Sequence, residues 1–383
     1  HSSRLGYLVL CWLVGLGGFL APLPASADIL VTNVFFNSVD RYDDQTGELI
    51  QANFFTPEVV PGEVLYLADV VINPANNHAY VSANFANTAG KTSIFHFDAV
   101  TGAPLPNPDG GRVGLFLELD ASTFNPAGLA LDADGNLYIA NQGGLNIDQY
   151  DATANFVRSY GDGGTSISLP SGLAFGPSGD LFVTNFGNGN IVTVDVATGA
   201  TTLLATRGAD GPFAPNGIVV GPGDEFYVAD IFSDGIFKYA PDGSEITALD
   251  GGPLITIELP NYPPGETPPN APSGLALDQN GDLLVAVLGP TNPLSGGDNH
   301  GALLRFDSDT GNLLQALDYE LPPAGGLARS APNPTADFDS DGDVDGNDFL
   351  LWQTAFQVDS AGDADFDGDT DANDYLVWKN QFG

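Results

Sequence analysis

The chain has 383 residues, with 49 Asp and Glu against 10 Lys and Arg and a formal net charge of −39. A field of that sign repels nucleic acid and anionic membrane surfaces, which excludes both as partners, and it attracts cations. The one cysteine, Cys11, sits in the leading apolar segment, so the rest of the chain can form no disulfide, thiol nucleophile or zinc–thiolate site.

Residues 1–27 read as a secretory signal. Arg4 precedes the apolar run Leu5–Leu20, and Ala25-Ser26-Ala27 supplies a small-x-small cleavage pattern before Asp28. The expectation is a secreted protein, extracellular or held at a cell surface, with no stable membrane span after cleavage.

Residues 28–329 repeat a unit. One copy reads Pro126-Ala-Gly-Leu-Ala-Leu-Asp, an Asp134-Gly135 turn, then Leu137-Tyr-Ile-Ala-Asn141. It recurs from Pro170 to Asn185, from Pro215 to Asp230 and from Pro272 to Val287, with a looser copy over Ala68–Asn84. Short β-branched and apolar runs split by tight turns are hairpins. A second motif, usually Asp followed by a Thr-Gly or Asp-Gly turn, counts six units: Tyr42–Gly47, Phe97–Gly102, Tyr150–Asn155, Val194–Gly199, Tyr239–Gly243 and Phe306–Gly311. Six four-stranded units predict an all-β, six-bladed β-propeller, because radial closure hides the sheet edges. The opening Ile29–Asn33 matches a second strand with no first strand before it. The missing one, Pro323–Ala328, comes after the last unit, so a C-terminal strand should close blade one.

In such a ring one face collects the ends of second strands, Asn33, Asn141, Asn185 and Asp230. It also collects the residues just before the first-strand glycine, Ala68, Ala127, Ser171, Asn216, Ser273 and Gly325. Amides and a carboxylate around a channel mouth could hold a carbohydrate, a peptide or a small molecule. Asn33, Asn141, Asn185, Asn216 and Asp230 are therefore the candidate ligand contacts, although Asn and Asp at strand ends also cap turns. Long insertions at Gln51–Leu65, Pro104–Phe124, Gly251–Ala271 and Leu288–Gly301 are expected on the same face. No His pairs with a Ser and an acid at any spacing that supports a hydrolytic triad.

Residues 330–335 read as a linker, and residues 336–383 carry two aspartate ladders. Asp337, Asp339, Asp341, Asp343, Asp345 and Asp348 form one. Asp363, Asp365, Asp367, Asp369, Asp371 and Asp374 form the other. Counted from its first Asp, each loop has carboxylates at positions 1, 3, 5, 9 and 12 and glycine at 6, the EF-hand spacing for Ca²⁺. Two calcium sites are expected, with Trp352, Trp378, Phe356 and Phe382 forming a small core of a short α-helical module.

The repeat resembles NHL-type repeats and gluconolactonase-like propellers, over Asp28–Arg329. The tandem loops resemble a type I dockerin, over Asp337–Phe382. The dockerin resemblance implies calcium as a structural ion and a cohesin-like protein or other cell-surface component as partner, contacted through Gly346-Asn347 and Ala372-Asn373. The propeller resemblance implies a divalent metal in the channel and, as an alternative function, metal-dependent lactone or ester hydrolysis. Asn216 stands at one metal-ligand position, but Ser273 and Gly325 stand where an Asp and a Glu would be wanted, with Asp69 or Asp230 as neighbouring substitutes. The expectation is a non-catalytic recognition or scaffold protein.

Overall fold

Runs such as Leu137–Asn141 and Leu181–Asn185 are buried along their whole length, as expected for strands covered on both faces. The computed structural model describes residues 27–34, 36–58, 65–84, 90–206, 214–246, 253–257, 270–289, 301–332, 338, 346–358, 362, 364 and 370–381. These strands form six antiparallel sheets, the blades of a six-bladed propeller within the compact unit Ala27–Asn333.

Blade one is closed as the sequence predicts. The strand Ala324–Pro332 pairs with Ala27–Asn33, placing Leu327 against Val31 and Ala328 against Leu30. This strand extends to Pro332, into the stretch expected as a linker, and its partner starts at Ala27 rather than after it. Arg329 binds Asp44 at 2.7 Å, and Arg41 pairs with the buried Asp28, so the latch also carries ion pairs.

The recurrent Asp motif is an Asx-turn. Asp43, Asp98 and Asp307 each accept the amide of a Thr three residues on at 2.7 Å, and the following Gly47, Gly102 and Gly311 take φ near +70°. In the degenerate copy Ala154 takes that conformation at φ 64°. Much of the chain's acidity is thus spent on turn geometry. The donated hydrogen bonds hold Asp195 and Asp307 below the ordinary carboxylate range and bring Asp151 down to about 2.

Apolar clusters fill the space between blades. Phe55 of blade one stacks on Phe97 of blade two at 4.2 Å, and Phe182 of blade four meets Phe226 of blade five at 5.3 Å. The insertions turn out to hold the outer strands. Gln51–Phe55 lies in the strand Leu49–Phe55, Leu115–Asp120 pairs with Lys91–Asp98, and Ile255–Thr256 pairs with Gly235–Ile236. Residues 258–269 and 290–300 lie outside the described residues.

The second unit contributes α1 (Gly346–Ala355) and α2 (Ala372–Gln381). Phe349, Trp352, Tyr375 and Trp378 pack together, with ring centroids 4.7 Å apart for Phe349–Trp378 and 5.2 Å for Trp352–Tyr375. Phe356 meets Trp352 at 5.1 Å, while Phe382 lies outside the described residues.

Candidate ligand site in the propeller channel

The channel wall is built from the first strands Tyr66–Asn73, Pro126–Leu131, Pro170–Phe175, Pro215–Val220, Pro272–Leu277 and the closing Ala324–Pro332. In all six blades the register against the second strand shifts at one level, at Leu67/Asp69, Pro126/Leu129, Pro170/Leu173, Pro215/Ile218, Pro272/Gly274 and opposite Val31/Asn33. A shift of this kind leaves backbone groups without ladder partners, and buried ones must be satisfied otherwise.

Second-strand hydroxyls supply the missing bonds. Thr184 Oγ1 accepts from Gly172 N at 2.7 Å and donates across the blade boundary to Asn216 O at 2.6 Å. Ser82 Oγ accepts from Asp69 N at 3.1 Å and donates to Ala127 O at 2.6 Å. Thr32 Oγ1 accepts from Gly326 N at 2.8 Å. Sequence reasoning did not single out these hydroxyls. Their only signal was a Thr next to the last residue of Leu-Phe-Val-Thr-Asn and Ile-Leu-Val-Thr-Asn.

Five of the six ring positions are glycine, and the packing requires it. A Cβ on Gly128 would sit 2.1 Å from Ser171 O, on Gly172 2.2 Å from Asn216 O, and on Gly217 2.0 Å from Ser273 O. The sixth position is Asp69. Its Oδ1 accepts from Val70 N and its Oδ2 from Leu129 N in the next blade, both at 2.9 Å. Its carboxylate lies over Gly326 on the other side, where a Cβ would meet Oδ1 at 2.1 Å.

These strands enclose a cavity of about 260 Å³ that reaches from Asp69 and the glycine ring to Val34, Asn84, Gln142 and Leu288. Among the described residues lining it, Asp69 is the one ionisable group. Asp69 is half-buried, and crowding by protein raises its carboxyl to about 7 against the two amide bonds that oppose the rise. Asn216 stands three blades round the ring, across the channel, and its Oδ1 accepts the hydroxyl of Ser171.

The structure separates the five candidate contacts. Asn216 lines the cavity. Asn33, Asn141, Asn185 and Asp230 are buried at second-strand ends, and their bonds go to the adjoining loops and third strands. Asn141 accepts from Asn125 N and Gly144 N, both at 3.0 Å, and donates to Asp148 at 2.8 Å. Asp230 accepts from Ala214 N at 2.6 Å, Phe232 N at 3.0 Å and Ser233 N at 2.9 Å. Asn33 donates to Asp40 at 2.9 Å and Asn185 accepts from Ser168 N at 2.8 Å.

The divalent-metal set of a hydrolytic propeller does not fit this channel. Ser273 donates its hydroxyl among the carbonyls of Ala286, Ala324 and Gly325, and Gly325 offers no side chain. Asp69 lies across the ring from Asn216, with each carboxylate oxygen already taking an amide. No group of three His, Cys, Asp or Glu suited to an ion occurs among the described residues.

In the helical unit, Asp348 and Asp374 are fully buried in equivalent places. Asp348 Oδ1 accepts from Phe338 N and Asp374 Oδ1 from Ala364 N, both at 2.6 Å. In each repeat the position-12 carboxylate thus reaches back to the amide of position 2. Asp371 N also donates to Asp374, and Trp352 Nε1 donates to Asp371 O at 2.8 Å. Asp337, Asp339, Asp341, Asp343, Asp345, Asp363, Asp365, Asp367 and Asp369 lie outside the described residues.

No protein-family profile matches the chain, and no curated protein does. Solved structures do. A protein of unknown function from Bacteroides caccae aligns at TM-score 0.54 and 14% identity, over 80% of this chain and 99% of the other. The nidogen/laminin complex aligns at 0.55 and 14%, over 80% and 99%. A streptogramin B lyase aligns at 0.50 and 16%, over 80% and 86%. The likeness is one of fold. At such identity propeller architecture is shared while the channel chemistry is free to differ.

Proposed function

We propose that the protein is a secreted, non-catalytic recognition propeller that binds a small polar ligand in its channel. In this reading the helical unit attaches it to a cohesin-like or other surface partner. The observation that carries the binding reading is the channel cavity itself. Six first strands converge on it with amides, hydroxyls and one carboxylate, and among the described residues they bring no acid–base pair or set of metal ligands. Concave, mostly preformed sites with a few placed polar groups are the usual form of a small-molecule site.

For the helical unit, the support is the duplicated bond from position 12 to the amide of position 2. It turns each last carboxylate back over the start of its loop, as a loop wrapping Ca²⁺ requires. Asp337, Asp339, Asp341, Asp343, Asp345 and Asp348 would hold one ion and the second ladder the other. The ion would screen a dense set of like charges, so binding and folding of this unit would be coupled.

Elemental analysis of the purified full chain, together with Trp fluorescence during chelation, tests both parts. Two calcium ions should be found. Chelation should change the emission of Trp352, whose indole bonds to the second loop, and leave the strand signal in circular dichroism intact. The double variant Asp348→Ala with Asp374→Ala should lose both ions. Calcium retained in the double variant would sink the attachment reading, and a transition metal retained there would overturn the non-catalytic one.

A further inference from the structure

We infer that the channel ligand is a small organic ammonium ion, bound with Asp69 as its counter-ion; this deepens the binding reading and rests on it. Asp69 occupies the one place in a ring of six where the other blades have glycine. Glycine there would bring no charge into the channel. The chain instead presents a carboxylate at the glycine-ring level of the cavity, fixed by Val70 N and Leu129 N at 2.9 Å. A departure from local economy at one position of a repeated structure is what a functional site looks like.

The surroundings supply no compensating charge. The residues that meet Asp69 from the neighbouring strands are Ser82, Leu129 and Gly326, and none is titratable. No Lys, Arg or His lines the cavity among the described residues. The two amides orient the carboxylate without neutralising it, and a carboxylate so desolvated favours either a proton or a cation. Burial raises it to about 7, so the proton and the cation compete near neutrality.

Size argues for an organic cation over a bare ion. The cavity, about 260 Å³, far exceeds the roughly 30 Å³ share of one water. A hard divalent ion seeks six or more oxygens, whereas the wall offers one carboxylate. An ammonium group needs one carboxylate and leaves its carbon chain to the apolar lining, Leu67, Leu173, Leu327, Val34 and Leu288. On the same face Phe186 and Phe232, 6.0 Å apart, follow the second-strand ends of blades four and five, and Phe232 is exposed. The high negative charge of the chain concentrates such ligands at its surface.

Calorimetry on the full, calcium-loaded chain tests this with n-butylammonium as probe and glucose as the neutral control. Butylammonium should bind at about pH 8, weaken about tenfold per unit of pH below about 7, and release up to one proton per site. Asp69→Asn should lose at least about tenfold in affinity. Asp69→Gly, which restores the glycine of the other blades, should do the same with the fold intact, and Asn141→Ala should bind as wild type. Wild-type affinity in both Asp69 variants, or no dependence on pH, would overturn the inference. Binding of glucose without butylammonium would overturn the cation class and leave the channel-binding reading standing. Binding of neither would remove both.

Discussion

Two rings of polar residues ring the same end of the propeller, and they differ in where their hydrogen bonds go. At the second-strand ends, Asn33, Asn141, Asn185 and Asp230 are buried and bonded to neighbouring loops or to the third strand. At the first-strand bulges, Asp69, Ser171 and Asn216 face the cavity. The residue types are the same in both places. Position separates them: the first-strand bulges border the cavity and the second-strand ends do not, even though Asp69 also takes two backbone amides. At the bulges the amides of Asp69, Gly172 and Gly326 go to second-strand hydroxyls, while that of Leu129 goes to Asp69, whose carboxylate still borders the channel.

The sharpest way to break this contrast is at a ring glycine. Gly217→Val should cost about 3 kcal/mol or more, because even its Cβ would meet Ser273 O at 2.0 Å and backbone on both sides resists movement. A denaturant midpoint close to wild type would mean that the ring is looser than its geometry indicates.

A comparable effect should appear with pH. The folded-state value of Asp69, about 7, lies above the ordinary 3.8, so the folded protein holds an extra proton between the two and stability falls as pH rises through that window. His96 runs the other way. Burial, helped by the charge of His78, lowers its imidazole from 6.5 to about 4, so the unfolded chain protonates first and stability falls as pH drops. Across their windows the effects amount to about 4 kcal/mol for Asp69 and about 3 kcal/mol for His96. The two should nearly cancel in the wild type between about pH 4 and 6.5. Asp69→Asn should expose a profile rising with pH, and His96→Gln one that falls. Urea melts across that range would show parallel wild-type and variant profiles if either group titrates normally.

The smallest of these effects lies in the outer ring. Asn141→Ala removes bonds to Asn125 N, Gly144 N and Asp148 and should cost about 2 kcal/mol, with channel binding unchanged. A large loss of affinity in this variant would erase the distinction between the rings.

Much of the architecture was legible before any coordinates. The recurrent Asp-turn motif set the blade count at six, and the Pro-x-Gly hairpins, which cannot bury both faces alone, required neighbours. The unpaired Ile29–Asn33 at one end and Pro323–Ala328 at the other implied the latch, which the pairing of Leu30 with Ala328 realises. The Asp-x-x-Thr-Gly turns could be read because Asx-turn bonds are local, spanning two or three residues.

The site was only partly legible. Asn216 could be placed in the channel from its position before a ring glycine. Asp69 was visible as a neighbouring substitute, but its meaning depends on Leu129 N, sixty residues away, and on Gly326 from the far end of the chain. Thr32, Ser82 and Thr184 were passed over because their partners belong to bulges and to the next blade.

The sequence by itself determined the strands, their turns and the number of blades, since periodicity, turn chemistry and repeat length act over short stretches of chain. Only the tertiary structure decided which polar groups are spent on the fold and which remain for a ligand. That allocation depends on backbone register and on contacts between blades, and closure of the ring brings those groups together from opposite ends of the chain.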